Sequence, residues 1–572
     1  MAINQYGVNF NGRRIVHPGA YGLIDESAMI VSSDGSTNIP IVIGTADAGK
    51  SGEVLWFTSA DAARETLKGG DLPLALEMMF SPSPEGGGGA SRVGVVVANK
   101  TVAATATVGG LKFTSTEYGE GGNRVQVKLE DGTLPGSKKF TAYKWDTQTM
   151  DAYDNIGPVL TLVYNGDAAI AQLDITVTDG KATKLETKVG PDAENLQVDL
   201  QLDLTNERFA TIENVAQYLN SVSDYAASYT DVRSIELSSS ALDMVSAQDI
   251  KSRVYLTALE GDLVNRINEF AQLVNVEVSG KVANFDYTYL TGGAKGNAPT
   301  SWSEYFDLVK KQYSDILVVL TSSESIHAEA LAHVQQMENR NQRQMLFVGG
   351  DRGETVERAK ERASLLNSSR CVLAYPGIYH KAYYLGEREL PAYFTAAMIA
   401  GRVAGVAQSM PITFDKFNLI SLGKDMLAGD PEVDDLITSG VCTLEKIKNG
   451  AIRVVQGITT YIGSNNTLLR EISVRRAADR TASRVEQTLS DTFVGKKGLS
   501  TTVSSVQTVV ADTLDQDIRT EDIIGYRNIV VTFKDTVIYV DYEVAVVEPM
   551  NYILVRSHFV PDNGQFTTEE EV

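Results

Sequence analysis

The stretch GITTYIGSNNTLLREISVRRAADRTASRVEQTL, residues 457–489, carries the most ordered pattern in the chain. A strand is predicted over residues 452–461, and a second strand over 469–474 follows a polar turn at 464–466. Beyond this point apolar residues recur every three or four positions, which predicts one buried helix face. The residues of that face are Val474, Ala478, Ala482, Val485, Leu489 and Phe493.

The chain after this helix predicts a small sheet. A glycine-containing turn at 495–498 precedes an acidic piece, helical or irregular, that ends at Asp522. Three strands are then predicted, over residues 526–533, 537–547 and 552–559. In the middle strand, apolar residues alternate with other residues, as on a half-buried sheet face. They are Ile538, Val540, Tyr542, Val544 and Val546.

Length and composition limit the classes of protein. A chain of 572 residues predicts about three or four domains. The net charge of −22 disfavours direct contact with a phosphate backbone, so no nucleic-acid partner is expected. No apolar run is long enough for a membrane span and no leader pattern is present, so we expect no membrane insertion. Two cysteines, Cys371 and Cys442, argue against a disulfide scaffold.

An α/β core is predicted from two separated parts of the chain. Strands are expected at 39–44 and 91–98, with a helical pair over 59–80 between them. From residue 301 helices and short, wholly apolar strands alternate, which is typical of a parallel sheet covered by helices. The expected strands are 315–321, 344–349 and 370–375, and the expected helices are 302–313, 326–340, 354–367 and 390–406.

The middle of the chain predicts an antiparallel insertion. Turn signals such as Gly109-Gly110 and Asp131-Gly132 punctuate residues 101–190, which are rich in Thr, Val, Lys and Asp. A mixed region follows to about residue 290. It carries predicted helices at 214–219, 248–259 and 264–273.

One string resembles a phosphate-binding loop. Residues 44–51 read GTADAGKS, which fits G-x-x-x-x-G-K-[ST] after a strand. A phosphate loop also requires a helix that begins at the Lys-Ser pair, whereas the strand-like Val54-Leu55-Trp56-Phe57 follows here. A strand-to-loop crossing is therefore the favoured interpretation, with a nucleotide-binding enzyme as the alternative.

No other motif indicates catalysis or a cofactor. The five histidines form no metal-ligand frame, and His327 and His333 lie six residues apart, on opposite sides of a predicted helix. Cys371 lies in an apolar strand, where a structural thiol is expected. An acidic cluster lacks the glycine and closing glutamate of a calcium loop and is interpreted as a solvated face. Its members are Asp512, Asp515, Asp517, Glu521 and Asp522.

The stretch at 457–489, with the ending VEPMNYILVRSHF at 547–559, resembles the C-terminal domain of contractile-tail sheath proteins of phages and related injection machines. The turn at 17–22, the loop at 44–51 and the helix at 391–402 resemble elements of the same family. The resemblance implies a multidomain α/β and α+β fold with an α/β core and parallel sheet, an inserted antiparallel β domain, and a C-terminal α+β domain. The expected divisions are an N-terminal arm (1–29), the core (30–100 and 296–430), the β domain (101–190), a mixed insertion (191–295), the C-terminal sheath domain (431–560) and an acidic tail (561–572).

The resemblance also implies where subunits join. N- and C-terminal arms of this family add strands to a neighbour's sheet, although a frayed terminus is the alternative for residues 1–29. Residues expected in strand exchange are Val16, Pro18, Tyr21, Val540, Tyr542, Val544, Ile553 and Val555. Arg476, Arg480 and Arg484 form a basic stripe at i, i+4 and i+8. This stripe is predicted to contact the tail tube or a neighbour's acidic cluster, and a solvated helix face is the alternative.

The function implied is that of a structural sheath subunit without enzymatic activity or cofactor. Hexameric rings would stack in a helix around the tail tube protein, with baseplate and tail terminator proteins at the ends. The sheath, assembled in the host cytoplasm and carried in the virion, would contract and drive the tube through the host envelope for genome delivery. A non-contractile virion or surface-lattice protein is a second alternative.

Overall fold

A computed structural model describes residues 8–10, 13–15, 38–84, 88–382, 386–495, 502–534, 537–557 and 559. Val16, Pro18 and Tyr21 of the predicted N-terminal arm lie outside these residues. The first described elements, through the first part of the core, are β1 (Val8–Phe10), β2 (Arg13–Ile15), β3 (Pro40–Gly44), β4 (Val54–Phe57), α1 (Ala60–Leu67), α2 (Asp71–Phe80) and β5 (Val93–Val97).

The middle of the chain is mostly strand. Its elements are β6 (Ala103–Val108), β7 (Leu111–Tyr118), β8 (Val125–Asp131), β9 (Lys138–Lys144), β10 (Thr149–Ile156), β11 (Pro158–Tyr164), β12 (Ile170–Thr178), β13 (Lys181–Gly190), β14 (Gln197–Asp203), α3 (Ile212–Ser221), β15 (Tyr225–Tyr229), β16 (Val245–Asp249), β17 (Val254–Thr257), α4 (Leu259–Phe270), β18 (Val274–Val278) and β19 (Phe285–Tyr289).

Helices and strands then alternate. The core elements are α5 (Ser303–Val309), β20 (Ile316–Val319), α6 (Glu324–Glu338), β21 (Met345–Gly349), α7 (Val356–Leu366), β22 (Cys371–Tyr375), β23 (Ile378–Ala382), β24 (Gly386–Leu390), α8 (Ala392–Ala404), β25 (Lys416–Phe417), β26 (Ser421–Leu422), α9 (Pro431–Thr438), β27 (Cys442–Lys446) and β28 (Ile452–Val454). The final elements are α10 (Thr467–Arg470), α11 (Ile472–Phe493), α12 (Val503–Arg519), β29 (Ile523–Lys534) and β30 (Val537–Val546).

A nine-stranded, mostly parallel sheet organises the core. Its strand order is β25-β28-β27-β22-β21-β20-β3-β5-β4, and the strands from β27 to β5 run parallel to one another. The strands β4, β28 and β25 are antiparallel to their neighbours. Every residue of β20, β21 and β22 is buried, as their uninterrupted apolar sequences require. The predicted parallel sheet is confirmed, although antiparallel strands make the whole sheet mixed.

The insertion contains four small antiparallel sheets. They enclose two hydrophobic cores, one around Phe113 and Phe140 and the other around Leu160 and Leu173. Each core draws on strands from both sides of residue 190: β7 pairs with β18, and β12 pairs with both β13 and β16. The insertion boundaries expected from sequence stay predictions.

Four predicted elements are wrong. Residues 469–474 form the end of α10 and the start of α11 instead of a strand, and only Glu471 between the two helices is extended. Asn466 caps α10 by accepting from the Leu468 amide, and α11 begins at Ile472. The strand expected over 452–461 is reduced to β28, and the helix over 248–259 is replaced by β16 and β17. In β17 the buried Leu256 pairs with β11, so tertiary pairing decides the structure there. The final strand, 552–559, is not formed in its described residues, where the chain supplies no partner strand.

Candidate assembly surface

The C-terminal unit, defined as α11, α12, β29 and β30, has its own small core. Side chains of α12 and the C-terminal half of α11 pack against one face of the two-stranded sheet. Val506, Val510 and Leu514 of α12 are fully buried in this cluster. Along β30 half-buried and exposed residues alternate strictly, so the predicted face with Val540, Tyr542 and Val544 is confirmed as the inner one.

The two-stranded sheet leaves its outer edges unpaired within the described residues. β29 and β30 pair only with each other there. Unpaired backbone N–H and C=O groups along a long strand are a template for pairing with another chain. The inner side chains are therefore occupied by the subunit's own helices, while the backbone edges remain available.

The segment that follows β30 is apolar and exposed. Ile553 and Val555, which were predicted to take part in strand exchange, are 84% and 81% exposed. Leu554 is 97% exposed and Phe559 is 96% exposed. Full burial of one such side chain contributes about 1.5–3 kcal/mol, so this segment leaves a large hydrophobic gain unrealised in the isolated subunit.

The three arginines of the predicted basic stripe have partners within their own chain. Arg476 is 5% exposed and donates from Nη2 to Asn38 Oδ1 at 2.6 Å. Arg480 lies 2.9 Å from a carboxylate oxygen of Asp522, and Arg484 pairs with Asp517. Burial lowers the pKa of Arg476 to about 10, which leaves it charged at neutral pH.

The predicted apolar face of α11 is partly displaced. Val474 and Val485 are buried as expected, but Ala477 and Thr481 are buried where Ala478 and Ala482 were predicted. The acidic cluster is also not a uniformly solvated face, because Asp517 and Asp522 are fully buried against the arginines of α11. Burial raises the pKa of Asp517. Sequence periodicity could not reveal this pairing, since the partners are more than thirty residues apart.

Polar side chains attach α11 to the core sheet. The guanidinium of Arg370, 1% exposed at the start of β22, binds both carboxylate oxygens of Asp479 at 2.7 and 2.9 Å. It also donates to Glu338 at 2.7 Å. Farther along α11, Arg343 binds both carboxylate oxygens of Glu486. Paired charges of this kind define orientation, because an unpaired buried charge is costly.

The loop at residues 44–51 lacks the geometry of a phosphate site. The amides of Ala46, Asp47 and Ala48 donate to oxygens of the surrounding fold at 2.8–3.0 Å. The Lys50 ammonium lies 2.9 Å from a carboxylate oxygen of Glu53. The strand β4 follows, where a phosphate loop would continue into a helix. The interpretation as a strand-to-loop crossing is confirmed in its local structure.

Two of the histidines and both cysteines are buried. His327 and His333 are almost fully buried, and burial lowers the pKa of each to about 4. Burial raises the pKa of the Cys371 and Cys442 thiols, both of which are free. The described residues contain no group of three or more His, Cys, Asp or Glu arranged to hold a metal. No helix within the described ranges is long and apolar enough to cross a membrane.

The chain is similar to several tail sheath proteins, although no family model matches it. A tail sheath protein of Bacillus phage SP01 is 78% identical over 570 residues, with 100% of both chains covered. A putative tail sheath protein of Enterococcus phage phiEF24C is 30% identical, with 97% of this chain and 98% of that protein covered. The crystal structure of a sheath tail protein from Listeria innocua shares the fold with a TM-score of 0.55 at 13% identity. It covers 90% of this chain and 92% of its own.

Proposed function

The chain belongs to the tail sheath proteins of phages with contractile tails, and we propose that its segment 550–559 completes the sheet of a neighbouring subunit. The protein is a structural subunit of the virion tail sheath and is not an enzyme. Sheath proteins assemble helically, so each copy requires contacts that repeat from one subunit to the next.

The exposed apolar segment is the observation that carries this proposal. In an extended strand Ile553 and Val555 lie on one face, while Tyr552 and Leu554 lie on the other. Strand addition to an open edge of β29 or β30 would satisfy the backbone groups of both chains and cover one of these faces. The acceptor edge and the donor segment are different surfaces of the subunit, so the contact is head-to-tail and generates a ring or a helix.

The wider assembly follows from the same contact. We propose stacked hexameric rings around the tail tube protein, with baseplate and tail terminator proteins at the ends and assembly in the host cytoplasm. Contraction would proceed by rotation of near-rigid subunits, with the exchanged strands as hinges. A residue of the predicted N-terminal donor, such as Tyr21, would act in the same way from the other end of the chain.

As a second, separate contact, we propose that Arg476, Arg480 and Arg484 bind the tail tube or a neighbouring subunit. All three side chains are bound within the subunit, so an external contact would compete with those bonds. Charge reversal at Arg480, which is less buried than Arg476, should weaken attachment to the tube. Unchanged co-assembly with tube protein would remove this contact from the proposal.

Truncation tests the strand exchange. A chain that ends at Asn551 keeps every described secondary-structure element and should stay folded by circular dichroism, yet form no cylinders in negative-stain images. The double substitution I553D/V555D should act in the same way, because two carboxylates would be buried at the new interface. Tyr313→Asp, at a loop side chain that is 74% exposed, is the matched control and should assemble. Normal cylinders from the truncated chain would overturn the proposal.

A further inference from the structure

The start of α11 contacts the chain near both ends of the folded subunit. Glu471 at its N-cap and Arg476 in its second turn are 3% and 5% exposed. Arg476 donates to the side chain of Asn38 at 2.6 Å, and Glu471 accepts from the side chain of Asn551 at 2.8 Å. Two residues separated by more than five hundred positions therefore bind the same short stretch of helix.

Asn38 is held from three directions, two residues before β3. Besides its bond to Arg476, its backbone amide donates to Asp315 Oδ2 at 2.7 Å. Its side-chain amide donates to the Val406 carbonyl at 3.3 Å. Its φ of 50° is a left-handed conformation that Asn and Gly adopt more readily than other residues. The backbone direction at this position is consequently well defined.

Asn551 is held at the other end, where the exposed segment begins. Its partner Glu471 also accepts from Gln456 Nε2 at 2.5 Å, so the carboxylate is itself oriented. Three residues earlier, Glu548 accepts from the Thr467 hydroxyl at 2.7 Å, one helix before α11. The side chains of residues 552–557 are exposed, and so is that of Phe559.

We propose that the start of α11 is a shared anchor that sets the directions in which both terminal segments leave the subunit. Glu471 and Arg476 are positioning residues in this arrangement, with Asn551 and Asn38 as their counterparts. This inference rests on the proposed strand exchange, because the exit direction matters only for a segment that binds a neighbour. A donor strand whose first residue is held in place has a higher effective concentration at its acceptor and loses less entropy on binding.

Two substitutions remove the anchors with little disturbance of the fold. Asn38→Gly tolerates the left-handed backbone, and Asn551→Ala removes one side-chain hydrogen bond. Asn551→Ala loses one side-chain hydrogen bond and Asn38→Gly loses two. Because each bond corresponds to a several-fold change in an equilibrium, either variant should raise the critical concentration for cylinder formation by at least roughly 3–10-fold. Light scattering and negative-stain imaging measure this change.

Matched controls come from the insertion. Asn155→Gly has the same kind of left-handed backbone and side-chain acceptor, and Asn284→Ala removes two exposed side-chain hydrogen bonds. Both controls should assemble at the wild-type critical concentration. The unfolding midpoint of all four variants is measured alongside, because loss of a buried hydrogen bond lowers stability by itself. The anchor predicts that Asn38→Gly and Asn551→Ala raise the critical concentration more than a control variant with an equal shift in midpoint.

The motion of the C-terminal segment is measured directly in the unassembled subunit. Phe559→Cys provides a labelling site, because the two native cysteines are buried. A fluorophore at this position should show lower anisotropy in Asn551→Ala than in the otherwise wild-type chain, and Asn284→Ala should leave it unchanged. Unchanged anisotropy and unchanged critical concentration in the anchor variants would overturn the shared anchor. Strand exchange itself would stand as long as the chain ending at Asn551 fails to assemble.

Discussion

The core sheet and the C-terminal unit differ in how completely their strands are buried and paired within one subunit. In the core, strands such as β21 are buried along their whole length and are paired on both sides with parallel strands of the same chain. In the C-terminal unit one sheet face is covered, the outer edges are unpaired among the described strands, and residues such as Leu554 are almost fully exposed. The first region supplies the stability of the subunit, while the second retains the surface from which a lattice can be built.

The contacts between the core sheet and the C-terminal unit differ from those inside either region, because they include buried ion pairs. Arg370 and Asp479 join the core to α11 through paired charges, and Ile472 at the start of α11 packs into the core beside them. Buried ion pairs add little net stability but penalise other arrangements. The junction therefore defines the orientation of the C-terminal unit, which is the property that a repeating assembly requires.

Removal of a buried side chain from the core sheet should have the largest effect on the free energy of unfolding. Phe347→Ala removes a fully buried ring from β21 and should lower the free energy of unfolding by about 3–5 kcal/mol. Tyr539→Ala, at a half-exposed position on the outer face of β30, should change it by less than about 1 kcal/mol. Urea unfolding followed by circular dichroism compares the two. Equal losses would show that the outer face of the hairpin already contributes to the stability of the isolated subunit.

Acid should weaken the core through a buried histidine. His333 stacks on Phe306 with 5.3 Å between ring centroids, and burial lowers its pKa to about 4. The unfolded imidazole, with a pKa near 6.5, binds the proton more readily, so stability is lost as pH falls from about 6.5 toward 4. The loss should approach about 3 kcal/mol at the acid end of that range.

The measurement is the free energy of unfolding of wild type and His333→Gln across this pH range. The variant should be less sensitive to acid, and the two curves should run parallel above pH 7.5, where neither state gains a proton at this position. Parallel curves throughout the acid range would contradict the assignment to His333. His327 titrates in the same direction and remains in both chains, so the comparison isolates one imidazole.

Addition of a nucleotide should have the smallest effect on stability. A phosphate site saturated at a hundred times its dissociation constant would add about 2.7 kcal/mol to stability, whereas the loop around Lys50 should add nothing measurable. Thermal unfolding of wild type and Lys50→Ala with and without Mg-ATP tests this expectation. Stabilisation of wild type that disappears in Lys50→Ala, but persists in the control Lys68→Ala, would restore the nucleotide-binding alternative.

Much of the core could be predicted because its information is local. Uninterrupted apolar strands such as residues 316–319, separated by helical patterns, admit few arrangements other than a mostly parallel sheet. The alternation from Ile538 to Val546 likewise predicted which face of β30 is covered. The strand β4 after the loop at 44–51 argued against a phosphate site before any side-chain geometry was known.

By itself, the sequence determined the periodicities, and with them the kinds of element and the resemblance to sheath proteins. Tertiary structure alone decided which groups meet: Arg476 with Asn38, 438 residues away, and Glu471 with Asn551. It also decided that Asp517 and Asp522 are buried beside arginines, and that residues 552–557 remain unpaired in one subunit. The physical reason is that periodicity records an average environment along one segment, whereas hydrogen bonds, ion pairs and strand pairs depend on partners that folding brings from distant parts of the chain.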